Sequence, residues 1–256
     1  MIRKSAVLCL LFVVYAAAFG GQRDRFVFTQ LKYDIDSADN RSSFRDDSKW
    51  DPYPEVWQDI NEFMAVTTSV KTITQRRIAG LSDDLLFSSP FLAILGAGRF
   101  PALSGKDIET LRRYVYNGGI IFADDSSGMR SSEFDSGFRR AMALAFPDIK
   151  LKKLPPDHPI FRSYYLLRQV SGRRMLNNYI EGIDISGRTA VIYSQNDMFG
   201  AWAKDRFGNY LRECNPGGEQ QRFDSQKFIQ NLIMYSVTGT YKSDSIHKPF
   251  LEQKLR

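Results

Sequence analysis

Apolar and polar positions along the chain fall into short alternating blocks. Residues 26–33 (FVFTQLKY) are rich in β-branched and aromatic side chains and predict a first strand. Residues 34–53 are polar, with three Asp in the first six positions, and read as a long loop of the kind that often carries function. Pro54 then opens a helix whose apolar face is Val56, Trp57, Ile60, Phe63 and Met64. Within 70–90 the pattern predicts a short strand around Thr72–Arg77. Phe91–Leu95 is a continuous apolar run ending in Gly96-Ala97-Gly98, which suits a strand buried on both faces.

Ser104 and Asp107 stand as N-cap and N3 of the next helix, with Ile108, Leu111 and Val115 as its buried stripe and Gly118-Gly119 as its stop. Ile120–Ala123 predicts another buried strand, running into the polar turn Asp124-Asp125-Ser126-Ser127-Gly128. A helix is expected over 133–145 with Phe134, Phe138, Ala141 and Leu144 on one side, a strand over Thr189–Ser194, and a last helix over 224–237 with Phe228, Ile229, Leu232 and Ile233 inward. Strands alternating with helices predict an α/β fold: a mostly parallel sheet with helices on both faces. No internal repeat or linker-like break divides it. The boundaries expected are a leader over 1–20, one domain over 21–240 and a flexible tail over 241–256.

The leader is read from the first residues, MIRKSAVLCLLFVVYAAAFGG. Arg3 and Lys4 form a basic start, Ser5–Phe19 an apolar run, and Ala16, Ala17, Ala18, Gly20 and Gly21 supply small residues, the layout of a secretory signal peptide. Cleavage after Ala18 or after Gly20 satisfies the small-x-small rule. An uncleaved anchor would need about 18 apolar residues, more than this run supplies. The expectation is therefore an exported protein, periplasmic or secreted, with no transmembrane span once the leader is gone. Cys214 is then its one cysteine, either a free thiol in a loop or a link between chains.

Composition narrows the chemistry further. The 256 residues carry a net charge of +6, and loss of Arg3 and Lys4 brings this to +4. The basic pairs Arg76-Arg77, Arg112-Arg113, Arg139-Arg140, Lys152-Lys153 and Arg173-Arg174 lie on different elements, so no nucleic-acid stripe forms. Two Cys and two His exclude Cys- or His-based metal centres. There is no G-x-S-x-G elbow, no Walker A loop, and no third glycine to make Gly96-Ala97-Gly98 a dinucleotide fingerprint.

In open α/β sheets ligands bind at the carboxyl ends of the strands. The residues there are candidates. Asp124 and Asp125 follow a buried strand, where carboxylates need solvent, a partner or a cation. They suit acid–base work, a hard divalent cation, or the capping of the next helix. Ser126, Gly96 and Gly98 line the same edge. Asp197 and Trp202 follow another strand and offer an acid and an aromatic to a sugar or peptide, or a cap and a core residue. His158, held between Pro156 and Pro159 in a rigid segment, is a candidate proton carrier or a turn residue bonded to backbone. No organic cofactor is expected.

Several of these stretches together resemble the DUF4159 family of bacterial envelope proteins: Phe28–Tyr33 (FTQLKY), Phe91–Gly98 (FLAILGAG), Asn117–Asp125 (NGGIIFADD), His158-Pro159-Ile160-Phe161, and Gly187-Arg188 before a strand. The resemblance runs from about Phe26 to Thr240. The family is similar in fold to class I glutamine amidotransferases, with ThuA-like proteins in the same wider group, which implies a flavodoxin-like sheet. In the amidotransferases a nucleophilic Cys stands at the elbow after the strand that follows a Gly-Gly turn. The resemblance puts Asp124 or Asp125 at that place, and the thiol chemistry of glutamine hydrolysis is missing.

Two functions follow as expectations. One is a non-catalytic binding or scaffold module of the cell envelope, holding a small ligand or an envelope protein in an amidotransferase-like cleft. The alternative is a hydrolase acting on a sugar, ester or amide, with Asp124 or Asp125 as nucleophile, base or cation ligand and His158 as proton carrier.

Overall fold

The computed structural model describes residues 25–33, 49–73 and 75–238. The leader, most of the 34–53 loop and the tail fall outside these residues. Seven strands form one mixed sheet: β1 (Thr29–Leu31), β2 (Arg77–Ala79), β3 (Phe91–Gly96), β4 (Ile120–Asp125), β5 (Lys152–Lys153), β6 (Glu181–Ile185) and β7 (Arg188–Ser194). Their spatial order is β2-β1-β3-β4-β7-β6-β5. The pairs from β2 through to β7 are parallel, and β7–β6–β5 are antiparallel. The helices are α1 (Val56–Thr67), α2 (Gly105–Tyr116), α3 (Glu133–Ala145) and α4 (Gly218–Thr238).

Alternation along the central strands builds a core on each face. Phe91, Ala93, Leu95 and Phe122 point to the side covered by α1 and α4, through Val56, Ile60, Met64, Phe228 and Leu232. Leu92, Ile94, Ile121 and Ala123 point to the side covered by α2 and α3, through Leu111, Val115, Phe134 and Phe138. This two-faced burial is why FLAIL and IIFA carry no polar residue. The capping box at α2 is present: the Ser104 hydroxyl accepts from Asp107 N–H and the Asp107 carboxylate accepts from Ser104 N–H.

The structure corrects the sequence reading at several places. The ladder of the first strand is only Thr29–Leu31, with a single bridge from Phe26 to Thr72 ahead of it. The second strand begins at Arg77, where the predicted one ends; Arg76 is turned away to bind Asp51. β4 continues through Asp124 and Asp125, which pair with Leu95 and Gly96 of β3, so both acids belong to the strand and not to the turn. Leu144 is 57% exposed, and Ala145 takes the inward place. Ten residues on from Phe134 at 3.6 per turn, Leu144 lies about 80° off the stripe, whereas Ala145 is in line. α4 starts at Gly218, because buried Gln221 and Arg222 extend it beyond its apolar face. β6 was hidden by its mixed composition, EGIDI. It is fixed by a two-residue hairpin to β7 in which Ser186 and Gly187 both have positive φ, 52° and 78°, the turn type that matches strand twist.

Candidate functional site

The carboxyl ends of β4 and β7 gather most of the buried charge. Because successive strand residues point to opposite faces, Asp124 and Asp125 do not form a pair. Asp124 shares the α1/α4 side with Phe122, and Asp125 shares the α2/α3 side with Ala123. Neither is solvent-exposed. Two carboxyls on opposite faces of a sheet do not face one ion together, so the strand does not gather Asp124 and Asp125 into one site.

Asp125 is absorbed by helix α3. Its Oδ2 accepts from the Ser132 hydroxyl at 2.5 Å and its Oδ1 from Ser127 N–H at 3.0 Å. Ser132 is itself the α3 N-cap, its Oγ accepting from Asp135 N–H at 2.9 Å. Burial pushes the Asp125 carboxyl up, and the hydrogen bonds from Ser132 and Ser127 pull it back. This is the capping role of the acid, extended by one relay.

Asp124 has a different neighbourhood. Its Oδ2 accepts from Phe199 N–H at 3.0 Å, while Oδ1 has no hydrogen-bond partner. Across the ladder stands Ser194, and beyond it Asp197. Asp197 sits at φ 53°, in the left-handed region that Asp tolerates. That turn lets its carboxylate reach inward, where it accepts from the Tyr53 hydroxyl at 2.9 Å to each oxygen, from Gly200 N–H at 3.2 Å, and from Arg173 Nε. A Cβ at Gly200 would stand 2.4 Å from Asp197 Oδ2, so only glycine fits there. Burial, then the neighbouring Asp197, pushes Asp124 up to about 8, so it is protonated at neutral pH. Burial also raises Asp197, to about 6, with the Arg173 guanidinium opposing that rise.

The remaining candidates at this edge are packing residues. A Cβ at Gly96 would lie 2.3 Å from the Tyr33 hydroxyl and 2.4 Å from the Phe134 ring, and one at Gly98 would lie 3.0 Å from Lys49. Ser126 is buried; its N–H donates to Gly96 C=O at 2.8 Å and its Oγ has no partner. Trp202 is 3% exposed and packs edge-on to Phe63. Cys214 is a buried free thiol.

His158 is not at this edge. Ile160 N–H donates to its Nδ1 at 3.2 Å, which leaves the proton on Nε2, 2.8 Å from Thr189 Oγ1; that hydroxyl donates to Asp184 at 2.5 Å. Thr189 is at the start of β7, whereas Ser194, the partner of Asp124, is at its end. Five residues of strand at ~3.3 Å each put the two ends about 16 Å apart. Direct proton transfer needs hydrogen-bond reach, so the structure does not bring His158 to Asp124 or Asp125. Burial lowers the His158 imidazole to about 4, and it serves as a neutral cap of the short 3-10 turn Pro159–Arg162.

Next to the Asp197 cluster the surface opens into a cleft of about 530 Å³ between residues 52–59 and 203–211. Tyr53 lines it and carries its hydroxyl down to Asp197. Glu55 and Asp59 stand on the α1 wall, Lys204 and Arg206 on the other, and Leu211 adds an apolar rim. Lys204 Nζ meets Asp59 at 3.0 Å across the gap. Sequence reasoning missed Tyr53 and Arg173, which lie 144 and 24 positions from Asp197. No local spacing signals either; only the fold brings them together.

A mostly parallel α/β sheet with an enclosed acid cluster and an open cleft at its carboxyl edge defines the class. Residues 27–237 match DUF4159, a domain of unknown function, and the chain belongs to that family. No curated protein matches the chain. Among the described residues no helix is long and apolar enough to cross a membrane.

Proposed function

We propose that the protein is a non-catalytic binding module of the cell envelope, with its site in the cleft between residues 52–59 and 203–211. The observation that carries this reading is the division of labour at the carboxyl edge. Asp124, Asp125 and Asp197 are fully enclosed, and the adjoining cleft offers both charge signs and an apolar rim to a ligand. Ligand sites are concave and carry a few placed polar groups on an otherwise apolar lining. The strand order 2-1-3-4-7 of the parallel part supports a flavodoxin-like scheme extended by an antiparallel edge, and such sheets bind at this end.

The test is thermal unfolding of the chain against sugars, peptidoglycan fragments, short peptides and divalent cations, with Glu55→Gln and Arg206→Gln alongside. A ligand at about 100 times its Kd adds about 2.7 kcal/mol, a rise of roughly 5–10 °C for a domain of this size. The expected result is a shift that both cleft variants weaken and Asp125→Asn retains. Turnover of an envelope substrate that Asp124→Asn or Asp125→Asn abolishes would overturn the reading. Export is part of the proposal: the protein recovered outside the cytoplasm should begin at residue 19 or 21, read by N-terminal sequencing.

A further inference from the structure

The segment Lys49–Tyr53 runs as a strap tied to several strands of the sheet. Ala97 N–H, just past β3, donates to Lys49 C=O at 3.0 Å. Gln30, on β1, donates from Nε2 to Trp50 C=O at 3.1 Å. Arg76, just before β2, holds both oxygens of Asp51 at 2.7 and 2.6 Å. The last tie is different. Tyr53 bonds to Asp197 past β7, and Asp197 shares its buried space with a second carboxyl, Asp124.

That space is finely balanced in charge. Arg173, from the segment packed over Asp197, neutralises one carboxylate. Phe199 N–H serves one oxygen of Asp124, and the other oxygen has no partner. The groups facing Asp124 are Ser194 on β7, Asp197 beyond it, Tyr53 on the strap and, through Asp197, Arg173. Asp125 lies on the other face. A second negative charge here would have to share the one Arg173 guanidinium with Asp197, which low-dielectric surroundings make very costly. The strap end is where this space adjoins solvent: Tyr53 bonds Asp197 with its hydroxyl and also lines the open cleft, so parting it from Asp197 would hydrate the carboxyls.

We propose that Asp124, Asp197 and Tyr53 form a charge-operated latch, which keeps the strap closed while Asp124 holds its proton beside the Asp197 carboxylate and frees it when that proton leaves to solvent. Tyr53, Pro54 and Glu55 form a wall of the cleft, so release of the latch widens the cleft. That consequence rests on the cleft being the binding site; the latch itself does not.

The experiment is hydrogen exchange on the ligand-free chain from pH 6 to 9.5, corrected for the intrinsic rate. It follows peptides covering 49–56 and, as a control, 91–125. In the wild type, 49–56 should lose at least tenfold in protection across about pH 8 while 91–125 stays protected. Asp124→Asn, which keeps the shape but cannot ionise, should hold 49–56 protected throughout, and Tyr53→Phe should leave it unprotected at every pH. Identical profiles in the wild type and Asp124→Asn, or loss shared equally by 91–125, would overturn the latch. Infrared spectra of the wild type give an independent reading that needs no variant. A protonated-carboxyl band present at pH 7 and gone by pH 9 supports the latch, and no such band at pH 7 overturns it. Because no ligand is present, failure of the latch and failure of the cleft as a binding site remain distinguishable.

Discussion

At position 124 a carboxyl occupies a place where its charged form is unwelcome. Its pKa stands at about 8 in the folded protein, above the ordinary carboxylate value, so the native state keeps a proton that the unfolded chain releases. Stability therefore falls as pH rises from about 4 to 8. Asp124→Asn removes that loss. It is expected to melt at least about 5 °C above the wild type at pH 8, on a scale of about 2–4 °C per kcal/mol, with the gap closing toward pH 4. A calorimetric pH series reads this directly. His158 works in the opposite window. Its imidazole is held down at about 4 by burial, so the unfolded chain takes up a proton near pH 6.5 that the native state refuses. Stability is lost as pH falls from about 6.5 to 4, by about 3 kcal/mol at ~1.4 kcal/mol per unit. His158→Gln, which can still accept from Ile160 and donate to Thr189, should flatten that part of the wild-type curve.

Among the elements, the two helix caps make a matched comparison. Ser104 caps α2 at the surface, in a capping box with Asp107. Ser132 caps α3 and also donates to the buried Asp125. Losing a cap costs about 1 kcal/mol, and stripping a partner from a buried carboxyl costs about 1–3 kcal/mol more. Chemical denaturation should therefore find Ser132→Ala the more harmful by a clear margin; equal losses would mean that Asp125 does not depend on Ser132. Helix α3 also contains Gly137, where propensity alone favours alanine by about 1 kcal/mol. Packing reverses the sign. A Cβ there would stand 2.4 Å from the Phe100 carbonyl oxygen, so backbone would have to move. Gly137→Ala is expected to destabilise the protein by about 1–3 kcal/mol, the range for overpacking, measured by the same denaturation midpoint.

For the molecule as a whole, the sequence reveals what is periodic and hides what is assembled. The runs FLAIL and IIFA announce buried parallel strands because burial on both faces leaves no room for polar residues. The stripe of α1 and the Ser104–Asp107 spacing are equally local and equally readable. β6 escapes because Glu181 and Asp184 interrupt its apolar pattern, and the ladder at β2 slips because Arg76 is claimed by Asp51. At the site, sequence correctly directs attention to the strand ends, where Asp124, Asp125 and Asp197 do lie. It cannot show that β4 continues through both acids, and that single fact sends neighbours in the chain to opposite sides of a sheet. Nor does spacing reveal that His158 belongs to the far end of β7, or that Tyr53 and Arg173 complete the Asp197 cluster.

The strap has a mechanical side as well. Parallel pairs are slightly weaker per residue than antiparallel ones, and β1 and β2 offer only three residues each to the ladder. Such an edge should peel easily under load. Because Arg76 grips Asp51 while Tyr53 is anchored beyond β7, a pull that draws the β2 edge away from the centre loads the strap as well as the ladder. Force is thereby shared between backbone pairs and a brace that crosses the same strands. The β2 edge of this sheet is in effect guyed to its middle, and the tension it can bear is set in part by the side chains of Gln30, Arg76, Asp51 and Tyr53.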